Sequence, residues 1–114
     1  MSGDPRDLRP PIAAAYAETV ATVLEGGIVG RSLKELCFRA LAGEDVEPSD
    51  ERERAALDWT YAIEWNADDA DDDLWGRLRA HFSDPELVEL GYAIAFQLGQ
   101  VHWERTFRSP SPRP

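Results

Sequence analysis

The chain has a single cysteine, Cys37, among its 114 residues, so no intramolecular disulfide and no Cys-x-x-Cys pair can form. No cofactor-binding or metal-binding motif is found, and neither a cofactor nor a metal is expected. No apolar run reaches the roughly 20 residues needed to cross a bilayer. The N-terminus lacks a basic region followed by an apolar one, so no secretory signal is expected and a reducing, cytoplasmic setting is. Basic charge is scarce, with 12 Lys and Arg against 22 Asp and Glu and a formal charge of -10. Such a surface repels phosphate backbones and anionic headgroups, which argues against nucleic acid and membranes as partners. Strand signals are missing too, since no segment alternates apolar and polar residues or clusters Val, Ile and Thr.

What remains is helical punctuation. The length suits one domain with one core, and the helical part is expected over residues 10–107, between mobile tails at 1–9 and 108–114. After Pro10-Pro11, Ile12, Tyr16, Val20 and Val23 recur at helical spacing until Gly26-Gly27. Ser32 and Glu35 form a capping box for a second helix carrying Leu33, Leu36, Cys37, Ala40 and Leu41, which Gly43 ends. Ser49 or Asp50 caps a third, with Ala56, Trp59 and Ile63 inward and its ending near Trp65. A fourth carries Leu74, Trp75 and Leu78 up to Phe82. Ser83 and Glu86 then write a second capping box, Phe82 and Leu87 a hydrophobic staple, and Pro85 sits where first-turn amides need no acceptor. The fifth helix runs from Asp84 to about Thr106 with Leu87, Leu90, Gly91, Ile94, Leu98 and Val101 along one side. Gly91 and Gly99 weaken an isolated helix, so each is expected where another helix approaches closely. The fold class is therefore all-α, a single compact five-helix domain.

Two features invite chemistry and have plainer explanations. Asp68-Asp69 and Asp71-Asp72-Asp73 suggest a calcium loop, but the run lacks the central glycine such loops need, and an acidic helix start explains it. Of four tryptophans, Trp59 and Trp75 read as core, whereas Trp65 and Trp103, with polar neighbours, read as anchors at a subunit contact.

Three blocks, Leu33-Lys34-Glu35-Leu36, Ser49 through Trp59, and Leu74-Trp75 through His81-Phe82-Ser83-Asp84-Pro85-Glu86-Leu87-Val88-Glu89-Leu90, give the chain a family likeness. It resembles the carboxymuconolactone decarboxylase and alkylhydroperoxidase D-like family from about Pro11 to Phe107. The resemblance implies an alkylhydroperoxidase D-like helical fold that assembles into a homo-oligomer (dimer, trimer or hexamer), with its site lined by helices and completed at a subunit contact. Peroxidase members carry a Cys-x-x-Cys-x-x-x-His helix after the Lys-Glu-Leu block. Here the chain passes through Gly43-Glu44-Asp45-Val46 and directly into Pro48-Ser49, and only Glu35 matches a family site position, that of a proton-relay glutamate. A thiol peroxidase needs one cysteine to attack and a second to resolve, so Cys37 alone is expected to be core.

Two functions follow. In one, a reduced family enzyme acts on or binds a small organic acid, with Glu35 and His102 as catalytic residues and Arg39 or Arg105 holding a carboxylate. Both catalytic candidates have structural alternatives, the capping box for Glu35 and a satisfied helical histidine for His102, while His81 is expected to answer a helix dipole. In the other, a non-catalytic oligomeric scaffold or binding protein has lost the redox chemistry.

Overall fold

Trp59 and Gly91 fix the centre of the molecule. A Cβ placed on Gly91 would lie 2.7 Å from Cη2 of Trp59, so only glycine lets these two helices meet at this distance. A computed structural model describes residues 4–108, with helices α1 (Pro10–Glu25), α2 (Arg31–Leu41), α3 (Glu51–Trp65), α4 (Asp72–His81) and α5 (Asp84–Arg108). Short 3₁₀ turns lie at Pro5–Leu8 and Ala67–Asp69, and no strand occurs among the described residues. Residues 109–114, expected in a mobile tail, lie outside that range. Helix α3 is the axis and packs on α2, α4 and α5. It buries Ala55, Ala56, Leu57, Trp59, Thr60 and Ala62, more than one stripe, because neighbours cover it on several sides.

The helix boundaries follow from local chemistry. The Ser83 amide donates to Glu86 at 2.9 Å and the Glu86 amide donates to the Ser83 hydroxyl at 3.3 Å, closing the box that starts α5. Phe82 and Leu87 enter the same core cluster. Asp50, not Ser49, caps α3 by accepting from the Glu53 amide, while Glu53 accepts from the Ser49 amide. At the end of α2 the Gly43 and Glu44 amides donate to the carbonyls of Ala40 and Arg39, and Gly43 has φ of +88°. This is the Schellman arrangement that glycine permits at little cost. Asp71 caps α4 through the Leu74 amide, which gives the acidic run a structural role.

Three expectations need correction. Helix α2 begins at Arg31 with Gly30 as an N-cap that offers no side chain, so Ser32 lies inside the first turn and the Ser32–Glu35 box does not form. Val29 and Leu33, both buried in the main cluster, pull the chain into the core before Ser32 can act as a cap. Of the tail expected at 1–9, residues 1–3 lie outside the described range, and the rest is not a bare tail: Pro5 and Arg6 are buried in the 3₁₀ turn. Finally, a Cβ at Gly99 meets nothing within 4 Å, so close packing explains Gly91 and not Gly99. Gly99→Ala should therefore stabilise the domain by about 0.5–1 kcal/mol, read as a higher urea midpoint, because it removes only the entropic cost of glycine in a helix.

Helix α1 stands apart. The stripe is at best half-buried, with Ile12 54% exposed, and Leu24 is the one buried residue of α1. Tyr16 stacks on Phe96 of α5 at 6.4 Å, but apolar contact along the helix is thin. Two buried cations from elsewhere in the chain hold it, Arg6 at Tyr16 and Lys34 at its C-terminal end.

Candidate functional site

At the C-terminal end of α1 the last carbonyls lack intrahelical donors, and Lys34 of α2 supplies them. Its side chain is 1% exposed, and Nζ donates to the carbonyls of Val23 at 2.7 Å and Gly26 at 2.9 Å and pairs with Glu89 Oε2 of α5 at 3.0 Å. All three ammonium protons thus have an acceptor. Glu89 in turn accepts from the Ile28 amide at 2.9 Å and the Val29 amide at 2.6 Å. One ammonium and one carboxylate therefore tie α1, the α1–α2 turn and α5 together.

Burial is the largest single influence on the Glu89 carboxyl and pushes its pKa up. The Ile28 and Val29 amides and the Lys34 ammonium together outweigh it and hold the group below the ordinary glutamate value. A depressed folded-state pKa stabilises the fold above the ordinary value, and that contribution is lost as pH falls through the lowered one. The protection factors of the Ile28 and Val29 amides, that is exchange relative to the intrinsic rate at the same pH, should therefore fall as the pH is taken below about 4.3. In Glu89→Gln that pH-dependent loss of protection should be absent.

Beside this latch lies a groove of about 360 Å³ between α1 and α5, lined by Thr22, Val23, Gly26, Gly27, Val88 and Tyr92 with Lys34 and Glu89 in its floor. Val88 and Tyr92, one turn apart on α5, are 73% and 74% exposed. Ile28, also exposed, is bonded through its amide to the Glu89 that lies between them in sequence.

The residues expected to carry chemistry sit elsewhere, and Glu35, Arg39 and Arg105 are each engaged. Glu35 is half-exposed and paired with Arg31, which also pairs with Glu25. Arg39 is exposed and pairs with Glu44 at 3.1 Å, and Arg105 donates to the Leu41 carbonyl at 3.2 Å. His102 is exposed on α5. None of these four lines the groove. Cys37 is fully buried, and burial raises its pKa to about 11 despite the Thr60 hydroxyl, which favours the thiolate. At neutral pH it is a thiol without solvent access. Intact protein at pH 7.5 should resist iodoacetamide, whereas the unfolded chain should gain one adduct, both read by mass spectrometry.

The sequence reading missed Lys34, Glu89 and Arg6. A usable signal existed for one of them: Lys34 shares the i, i+3, i+7 face of α2 with Cys37 and Leu41, both fully buried. A cation on an apolar face must find acceptors. Compared with known proteins, the chain matches no family model, no curated protein and no solved structure. Among the described residues, no helix is long and apolar enough to cross a membrane.

Proposed function

We propose that the chain is a non-catalytic, self-associating binding module, built on a scaffold of the carboxymuconolactone decarboxylase and alkylhydroperoxidase D-like kind that has lost the redox helix. The observation that carries this reading is the exposed apolar pair Val88 and Tyr92 lining a groove whose charged groups are internally satisfied, with exposed Ile28 on the adjoining turn. Lys34 has no proton left to offer a substrate acid, and Glu89 already accepts two backbone amides. Catalysis wants a group free to move a proton.

The occupant that suits the groove is a second copy, related by a two-fold axis so that the same rim serves both sides. Two chains of charge -10 repel over most of their surfaces. At this rim the carboxylate in the floor is neutralised by Lys34, which leaves a locally apolar contact on an acidic body. Salt should strengthen the association by screening the rest. Light scattering across a dilution series tests the reading. Wild type should approach twice 12.8 kDa, and Tyr92→Glu should remain monomeric while keeping the wild-type helical signal.

The catalytic alternative, with Glu35 and His102 acting on a small organic acid held by Arg39 or Arg105, gains no support from where these side chains lie: Glu35, Arg39 and Arg105 are engaged elsewhere, and none of the four lines the groove. Binding of small carboxylates that was abolished by Arg39→Ala or Arg105→Ala would revive it.

A further inference from the structure

The 3₁₀ turn at the N-terminus inverts the usual order of burial. Arg6 is 2% exposed, while Leu8, two residues on, is 67% exposed. A segment held by ordinary apolar packing would bury its leucine and leave the guanidinium in water. Here the arginine is the anchor. Its guanidinium carbon lies 3.7 Å from the centroid of the Tyr16 ring and 4.8 Å from that of Trp103. Nη1 donates to Glu104 at 2.9 Å and to Asp4 at 3.0 Å, and Nη2 donates to Gln100 at 2.6 Å. Two aromatic faces with acceptors at the edge match a planar guanidinium far better than an ammonium.

Apart from Asp4, every wall of this cage comes from α1 (Tyr16) or α5 (Gln100, Trp103, Glu104). The cage belongs to the folded body and the guanidinium is carried into it on a four-residue turn. We propose that it is a receptor for the arginine of a linear peptide, and that Arg6 is its intramolecular occupant. The fitting partner is an extended, arginine-bearing segment without the acidic excess of this chain, since a body of charge -10 attracts a basic ligand. Arg6 then acts as a competitor that such a segment must displace. No residue of the cage lines the groove, so it stands or falls independently of self-association.

The test follows the Trp103 indole N–H resonance of ¹⁵N-labelled protein titrated with N-acetyl-arginine amide and with its lysine counterpart. Arg6→Ala should bind the arginine compound saturably and at least about tenfold more tightly than the lysine one. Wild type should respond at least about tenfold more weakly, because its binding-competent state is the minor one. Addition of Trp103→Ala should abolish arginine binding, followed there through the backbone amide of Gln100. A folded Arg6→Ala that shows no arginine response, or no preference over lysine, would make Arg6 a structural staple and overturn the proposal. If Arg6→Ala does not fold, wild type decides: a shift with arginine and none with lysine supports the receptor, and no difference between them sinks it.

Discussion

Lys34→Met is expected to cost about 3 kcal/mol, the low end of what breaking a buried ion pair costs. Methionine keeps most of the stem's volume, so the loss isolates the ammonium. Without it the carbonyls of Val23 and Gly26 lose their donor, and Glu89 keeps only the Ile28 and Val29 amides. Water in the adjacent groove can reach these groups and keeps the cost from rising further. Against a typical domain stability of about 5–15 kcal/mol this is a large fraction. Urea unfolding should show the midpoint falling at an unchanged slope; a change below about 1 kcal/mol would mean that Lys34 is not the fastening of α1.

Gly27→Ala should cost nearly as much, for two separable reasons. Gly27 has φ of +89°, where an L-residue loses roughly 1–2 kcal/mol. A Cβ there would also fall 1.8 Å from Glu89 Oε1. The glutamate side chain can swing away, but in doing so it abandons both amides and Lys34, for a further loss of about 1–2 kcal/mol. A double-mutant cycle separates the parts, because residues sharing a network are not additive. In a Glu89→Ala background, Gly27→Ala should cost only the backbone part. Equal costs in both backgrounds would show that Gly27 answers to backbone geometry alone.

These two positions also mark where sequence reasoning reaches its limit. Ser83, Glu86 and Gly43 were legible because capping and Schellman chemistry lies within a few residues, and local spacing reports it directly. Gly91 was legible as a close approach, although Trp59 as the approaching side chain required the fold. The stripe from Leu87 to Val101 was legible because period predicts the inward face of a helix that lies on the core. Ser32 misled because its box pattern was sound and the burial of Val29 and Leu33 overrode it. Helix α1 misled in the opposite way: its apolar spacing is real, but the fold leaves that face half-covered. The Lys34–Glu89 and Arg6–Glu104 pairs join residues 55 and 98 positions apart in sequence, and no local pattern encodes such a partner. The site candidates Glu35, His102, Arg39 and Arg105 came from family likeness and residue type, neither of which reports which ion pairs a folded surface will form.

The proposed self-association would link stability to assembly, because the latch residues Lys34 and Glu89 also line the groove with Val88 and Tyr92. A chain with the latch broken would then present charge where the proposed contact needs an apolar surface.

Self-association through that rim is the central claim, and the molar mass of wild type and Tyr92→Glu by light scattering, measured side by side across a dilution series, tests it most directly. The wild-type mass should rise toward twice 12.8 kDa with concentration, and the variant should stay at the single-chain mass. A wild type that is monomeric throughout, or an oligomer that Tyr92→Glu leaves intact, would contradict it.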